Sequence, residues 1–136
     1  MNNKLNKVVI ATGGTGGHVF PAYSLAKHLI NKKIETELFS DQRGLGFLTN
    51  LKDIKKTKIL SSPIKKDPLN LFKSFILIIS GILKSFFVLI SKKPDIVFGM
   101  GGYSSFPVCF AAKILKIPYI IYENNICLGK TNRILL

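Results

Sequence analysis

Histidine, cysteine and acidic side chains are scarce in this 136-residue chain, and each scarcity excludes a class of chemistry. Two cysteines, Cys109 and Cys127, are too few for a disulfide framework or a four-thiolate zinc site. Two histidines, His18 and His28, cannot build a histidine-rich centre, and no metal is expected. A long uninterrupted apolar run is missing at the start. Val8 to Ala11 is too short for the core of a secretory signal and leads straight into glycines. The expectation is a cytoplasmic chain, which suits two free thiols. With 47% hydrophobic and 20% charged residues, intrinsic disorder is excluded. The length suits one domain, residues 1–136, large enough to bury a real core.

Seven acidic residues stand against twenty basic ones, a formal net charge of +13. Such an excess suggests an anionic partner: nucleic acid, acidic lipid or a phosphorylated substrate. Eighteen of the twenty are lysines, which a general lysine bias also explains. Between Lys52 and Lys93, ten lysines face only Asp53 and Asp67, so most of the excess is concentrated there.

Lys7 to Thr12 reads as a buried parallel strand that ends in glycines. Pro21 is expected in the first turn of the following helix, where a missing N–H costs nothing. Ala22, Leu25, Ala26, Leu29 and Ile30 recur at helical spacing as far as Asn31, and Thr36 to Ser40 is the second strand. A short helix is expected over Gly44 to Asn50 and a third strand over Lys58 to Ser61. Pro94 to Gly99 is a fourth strand, Phe106 to Leu115 a helix, and Pro118 to Tyr122 a further strand. This alternation indicates an α/β fold with a doubly wound, mostly parallel sheet. An internal echo supports it: Gly16-Gly17 and Gly101-Gly102 are each followed by Phe-Pro, four residues, and Ala-Lys.

Leu69 to Ile90 is the most apolar segment. Lys73 and Lys84 bound a charge-free window of ten residues, Ser74 to Leu83, which is short for a membrane span. Phe72, Phe75, Ile76, Ile79, Leu83 and Phe86 form a broad apolar face, and Lys73, Ser80, Lys84 and Ser91 fall on another stripe. Two readings stand: a core helix of the sheet, or a surface that rests on an anionic bilayer between Lys65, Lys66, Lys92 and Lys93.

Gly13-Gly-Thr-Gly-Gly17 and Gly99-Met-Gly-Gly-Tyr-Ser-Ser105 both lie between strand and helix. Such turns expose main-chain N–H groups at the positive end of a helix, an anion site. Gly13, Gly14, Gly101, Gly102, Tyr103 and Ser104 are therefore candidate diphosphate ligands. Neither loop is a nucleoside-triphosphate P-loop, for no Lys-Ser or Lys-Thr follows the last glycine, and neither gives Gly-x-Gly-x-x-Gly. His18 follows the first loop and is either a general base or a phosphate-bonding cap. Asp41, after the second strand, is either a ribose ligand or a solvated turn residue. Glu123, Asn124 and Asn125 follow the last strand at the same edge of the sheet.

Gly13-Gly-Thr-Gly-Gly-His-Val-Phe-Pro21, Gly99-Met-Gly-Gly-Tyr103 and Glu123-Asn-Asn125, followed by Gly129 and Thr131-Asn132, together resemble the MurG family of peptidoglycan glycosyltransferases over essentially the whole chain. The resemblance implies the amino-terminal, Rossmann-like domain of a two-domain GT-B enzyme whose carboxy-terminal, donor-binding domain is absent from these residues. It implies a metal-independent, inverting transfer of N-acetylglucosamine from UDP-N-acetylglucosamine to the muramyl sugar of an undecaprenyl-diphosphate-linked pentapeptide. No cofactor is implied, since the nucleotide sugar is a substrate. His18 matches the proposed base. Tyr103 and Glu123 match positions implicated in activity, and Thr15, Gly16, Gly17 and Asn125 match donor contacts. The Leu69 to Ile90 face matches a patch that docks on the cytoplasmic side of the bacterial inner membrane. Tyr122 and Asn124 depart from the family's His-Glu-Gln-Asn, and Phe106 stands where a small residue is common.

Two other functions are consistent with the residues alone. One is a non-catalytic membrane-recruiting subunit of a split glycosyltransferase; the other is a dinucleotide-binding oxidoreductase domain that uses Asp41. Nucleic acid is not an expected partner, because the lysines surround an apolar helix and not interleaved stacking aromatics.

Overall fold

A computed structural model describes residues 4–63, 67–123, 127 and 129–136. Among the described residues, five strands and five helices follow in the order β1 (Lys7–Thr12), α1 (Gly16–Asn31), β2 (Glu35–Ser40), α2 (Gln42–Phe47), β3 (Lys55–Lys58), α3 (Pro68–Lys92), β4 (Ile96–Gly99), α4 (Gly102–Ile114), β5 (Tyr119–Ile121) and α5 (Lys130–Leu135). Every strand pairing is parallel, and the sheet runs β3-β2-β1-β4-β5.

Successive strand residues point to opposite faces, so each strand feeds two cores. Val8, Ile10 and Leu38 pack with Val19, Ala22 and Ala26 of α1 on one face. Val9, Ala11, Phe39 and Val97 pack with Leu89, Val108, Ala111, Ala112 and Leu135 from α3, α4 and α5 on the other. This is the doubly wound arrangement, and the direction of winding reverses between β1 and β4. Ligands of such sheets bind at that switch point, beyond the carboxyl ends of the strands.

The first helix begins earlier than its sequence indicates. Gly16 and Gly17 are already helical, so Pro21 is the sixth residue of α1 and lies inside the helix. Its ring removes the bond to the carbonyl of Gly17. Pro107 is likewise the sixth residue of α4, and the internal echo is therefore a structural one: β1–α1 and β4–α4 are in register from the first helical residue. The third strand lies three residues before its expected place. Apolar Ile59-Leu60 drew the expectation, but the ladder is made by Lys55-Lys-Thr-Lys58 at the sheet edge, where lysines guard against further pairing. Helix α5, six residues long, carries no periodic signal in the sequence.

Helix α3 is turned the opposite way from a core helix. Its buried residues are Ser74, Gly81, Ser85 and Leu89. A Cβ on Gly81 would stand 2.0 Å from the Leu60 carbonyl oxygen, so the chain of residues 59–63 lies directly against the helix backbone. The aromatic and aliphatic side chains face out: Phe72, Phe75 and Leu83 are 66%, 61% and 54% exposed, and Ile76 and Ile79 are exposed too. Phe86 corrects the expected face, for it packs against the core while its neighbour Phe87 is exposed. Lys92 corrects the expected basic ring, since its Nζ is paired with buried Glu37 at 2.6 Å. Lys65 and Lys66 lie outside the described residues. With 25 residues and a mean hydropathy of 2.2 over its most apolar window, α3 is long and apolar enough to cross a bilayer, which the two lysines were expected to prevent.

Cys109 is buried in α4, and burial pushes its thiol up to about 12, whereas Cys127 is exposed. A thiol-specific disulfide reagent at pH 8 is therefore expected to titrate one thiol in the native chain and two in denaturant. Rapid loss of both thiols in native buffer would contradict the packing of α4 on the sheet.

Candidate functional site

The two glycine turns meet at the switch point. Strands β1 and β4 are neighbours, with Ala11 opposite Gly99, and the Met100 N–H donates to the Ala11 carbonyl at 2.8 Å. The chain must reverse at once after each strand. Gly13, Gly14, Gly101 and Gly102 all have φ between +73° and +147°, a region that costs other residues a Cβ clash. Gly13 is also held by space: a Cβ there would stand 2.6 Å from Asp41 Oδ1 and 2.8 Å from the Ser104 Cβ.

Asp41 ties the two turns together. Its Oδ1 accepts from the main-chain N–H of Gly14 at 3.0 Å and of Gly44 at 2.8 Å. Its Oδ2 accepts from the hydroxyl of Ser104 at 3.1 Å, with Ser61 more distant at 3.5 Å. The residue is 6% exposed. Both readings of Asp41 from the sequence are therefore corrected: it is neither solvated nor free for a ribose, because its oxygens are bonded to the chain itself. The dinucleotide-binding alternative loses the one residue that favoured it. The signal was present as Asp41-x-x-Gly44, the spacing of a carboxylate cap on a short helix, here α2.

The hydroxyl of Ser104 and the N–H of Gly14, both candidate diphosphate donors, are buried and bonded to Asp41. Ser105 steadies the second turn by donating to the carbonyls of Gly101 and Gly102. Arg43 from α2 donates to the phenolic oxygen of Tyr103 at 3.0 Å, a link across the mouth of the site that the sequence did not suggest.

Neither α1 nor α4 has an acidic residue in its first turn, so their positive ends are not neutralised from within. Thr15 and Gly17 are exposed at the start of α1, and a Cβ on Gly17 would meet only the Thr15 hydroxyl. Gly16 is closed over by Phe20, which makes an edge-to-face pair with Phe47. His18 bridges the turns. Its ring lies over the second one: Cβ atoms built on Gly101 and Gly102 would stand 3.5 Å from its Cε1 and 3.7 Å from its Nε2. Its Nδ1 is buried with no hydrogen-bond partner among the described residues. Nε2 is thus the nitrogen left to reach a ligand.

Glu123 lies beyond β5, next to Tyr122, whose carbonyl is 3.1 Å from where a Gly101 Cβ would be. Its carboxylate accepts from the Gly129 N–H at 3.2 Å and the Asn132 side chain at 2.8 Å, and so anchors the start of α5. Asn125, the remaining expected donor contact, and Asn124 lie outside the described residues. Among the described residues there is no cluster of metal-ligating side chains.

Known proteins are similar to this chain over most of its length. Curated relatives named UDP-N-acetylglucosamine--N-acetylmuramyl-(pentapeptide) pyrophosphoryl-undecaprenol N-acetylglucosamine transferase include one from a Wolbachia of Brugia malayi, 40% identical over 93% of this chain and 35% of its own length. Another, from Pelagibacter ubique, is 40% identical over 96% of this chain and 36% of its own. The chain thus spans about a third of the length of these relatives. The crystal structure of Acinetobacter baumannii MurG superposes with a TM-score of 0.80 at 28% identity, covering 96% of this chain and 38% of that one. A UDP-GlcNAc 2-epimerase from Neisseria meningitidis, 22% identical with a TM-score of 0.61, covering 85% of this chain and 31% of that one, shares the fold. The model of the glycosyltransferase family 28 N-terminal domain matches residues 8–136, and the chain belongs to that family.

Proposed function

We propose that this chain is the acceptor-binding half of an inverting N-acetylglucosaminyltransferase in peptidoglycan synthesis. The acceptor is a muramyl-pentapeptide linked through a diphosphate to undecaprenol, the donor is UDP-N-acetylglucosamine, and the chain works against the cytoplasmic face of the inner membrane. The observation that carries this reading is the pair of glycine turns tied by Asp41 at the β1/β4 switch point. Two helix N-termini without acidic residues give adjacent phosphoryl groups main-chain donors and favourable dipoles.

His18 stands between the turns with Nε2 available, where it takes the proton from the acceptor hydroxyl as that oxygen attacks the sugar's anomeric carbon and UDP leaves. Thr15 and Gly17 border the side from which the donor approaches. Most of the donor pocket belongs to a second domain, which the relatives' greater length accommodates. Because catalysis requires both substrates to be positioned, these 136 residues alone bind the acceptor headgroup and transfer no sugar.

Calorimetry with inorganic pyrophosphate tests the reading. Binding is expected, and Gly14→Val, which forces a branched side chain into a φ of +75° and so disturbs the Gly14–Asp41 bond that sets the first turn, is expected to weaken it at least about tenfold. Pyrophosphate affinity unchanged by Gly14→Val, or sugar transfer by the chain alone, would refute it.

A further inference from the structure

A cavity of about 280 Å³ adjoins the second glycine turn. Ile78 of α3, Tyr103 and Phe106 of α4, and Thr131 and Ile134 of α5 form its walls, and Lys130 also lines it. Three features restrict its occupant. Its walls are largely apolar, with few polar groups to replace the hydrogen bonds to water that a sugar or peptide placed there would lose. One of its walls is Tyr103, the residue directly after Gly101-Gly102, so the cavity is next to that turn. Ile78 lies one helical turn from Phe75 and beside Ile79, so the other end leads to the exposed face of α3.

From a charged head in the turn and an apolar path toward α3, the geometry points to a binding site for the first isoprene units of a prenyl diphosphate. The inference rests on the acceptor reading above and adds to it. The lipid is recognised by its chain as well as by its headgroup, and the protein draws that part of the chain out of the bilayer. The relatives' names carry a pyrophosphoryl-undecaprenol, a ligand of this chemistry. Phe106 is bulky where the resembling family often has a small residue. It stacks on Phe110 at 5.5 Å between ring centres and forms a wall of the cavity.

The test compares geranyl diphosphate, a soluble ligand with two isoprene units, with inorganic pyrophosphate on this chain by calorimetry. Geranyl diphosphate is expected to bind at least about tenfold more tightly, since part of one unit leaves water. Ile134 is 61% exposed, so substitutions there leave the fold intact. Ile134→Trp, which fills the cavity, and Ile134→Asp, which charges it, are each expected to reduce the advantage below about threefold and to leave pyrophosphate binding unchanged. Equal affinities for the two ligands, or an advantage that survives both Ile134 variants, would overturn the inference. An advantage lost instead in Phe72→Ser would also overturn it, by placing the chain on α3. If pyrophosphate binds and Gly14→Val weakens it while the geranyl group adds nothing, only the prenyl site falls. If neither ligand binds, the acceptor reading falls with it.

Discussion

Replacing Asp41 with alanine is expected to destabilise the chain by about 3–6 kcal/mol. The substitution strips partners from the buried N–H groups of Gly14 and Gly44 and from the hydroxyl of Ser104, each at a cost of roughly 1–3 kcal/mol when left unmade. Relief of the carboxylate's own desolvation offsets part of that sum. Against a typical total of about 5–15 kcal/mol, the loss brings the chain near the edge of folding. Asp41→Asn separates charge from geometry. Its amide oxygen still serves both main-chain donors, and its NH₂ can donate to Ser104, so the expected cost is about 1–2 kcal/mol. Urea unfolding of the three proteins measures these differences, and a loss below about 1 kcal/mol in the alanine variant would disprove the tie. Function should follow the same order. Asp41→Ala frees the two turns from one another and is expected to lower pyrophosphate affinity more than tenfold, while Asp41→Asn stays within about threefold.

The second large effect concerns the outward face of α3. Phe72→Ser, Phe75→Ser and Leu83→Ser together are expected to weaken binding to anionic phospholipid vesicles at least about 100-fold. Burial of one such side chain contributes roughly 1.5–3 kcal/mol, and about 1.4 kcal/mol is a factor of ten. The urea midpoint should hardly move, because all three side chains are already more than half exposed. Phe86→Ser provides the contrast: it packs against the core, so it should lower stability by about 3 kcal/mol. Lys73 and Lys84 are exposed on the same helix, so vesicle binding should weaken as salt is raised. Vesicle affinity untouched by the triple substitution would reject the surface reading. Chain that resists extraction at alkaline pH would instead show that α3 inserts across the bilayer, the other course open to a helix about 37 Å long.

Local patterns carried much of this architecture. The run Lys7 to Thr12 coincides with β1, and Asn31 ends α1 as its spacing indicated. A strand buried on both faces is apolar throughout, and a glycine turn is recognisable because few other residues tolerate its backbone. Errors arose where local preference met tertiary demand. Pro21 suits a first turn, yet the helix begins five residues earlier, at glycines whose propensity argues against it. Three helices are followed by lysines with positive φ, Lys33, Lys93 and Lys116, where glycine would have marked the stop. Glu123, read as a functional acid, also anchors α5 through Gly129 and Asn132, a helix with too few residues to show a period.

The sequence by itself determined the strand–turn–helix units, their equivalence, and the glycine turns that follow β1 and β4, because these depend on residues adjacent in the chain. The tertiary structure alone decided that Asp41 is a buried clasp and that His18 lies across the second turn. It also decided that α3 buries serine and glycine while exposing phenylalanine. Each of these depends on partners tens of residues away, and a side chain's role is set by what the fold places against it. A periodic pattern shows that a helix has an apolar side; only the Leu60 carbonyl lying against Gly81 shows which side faces the protein.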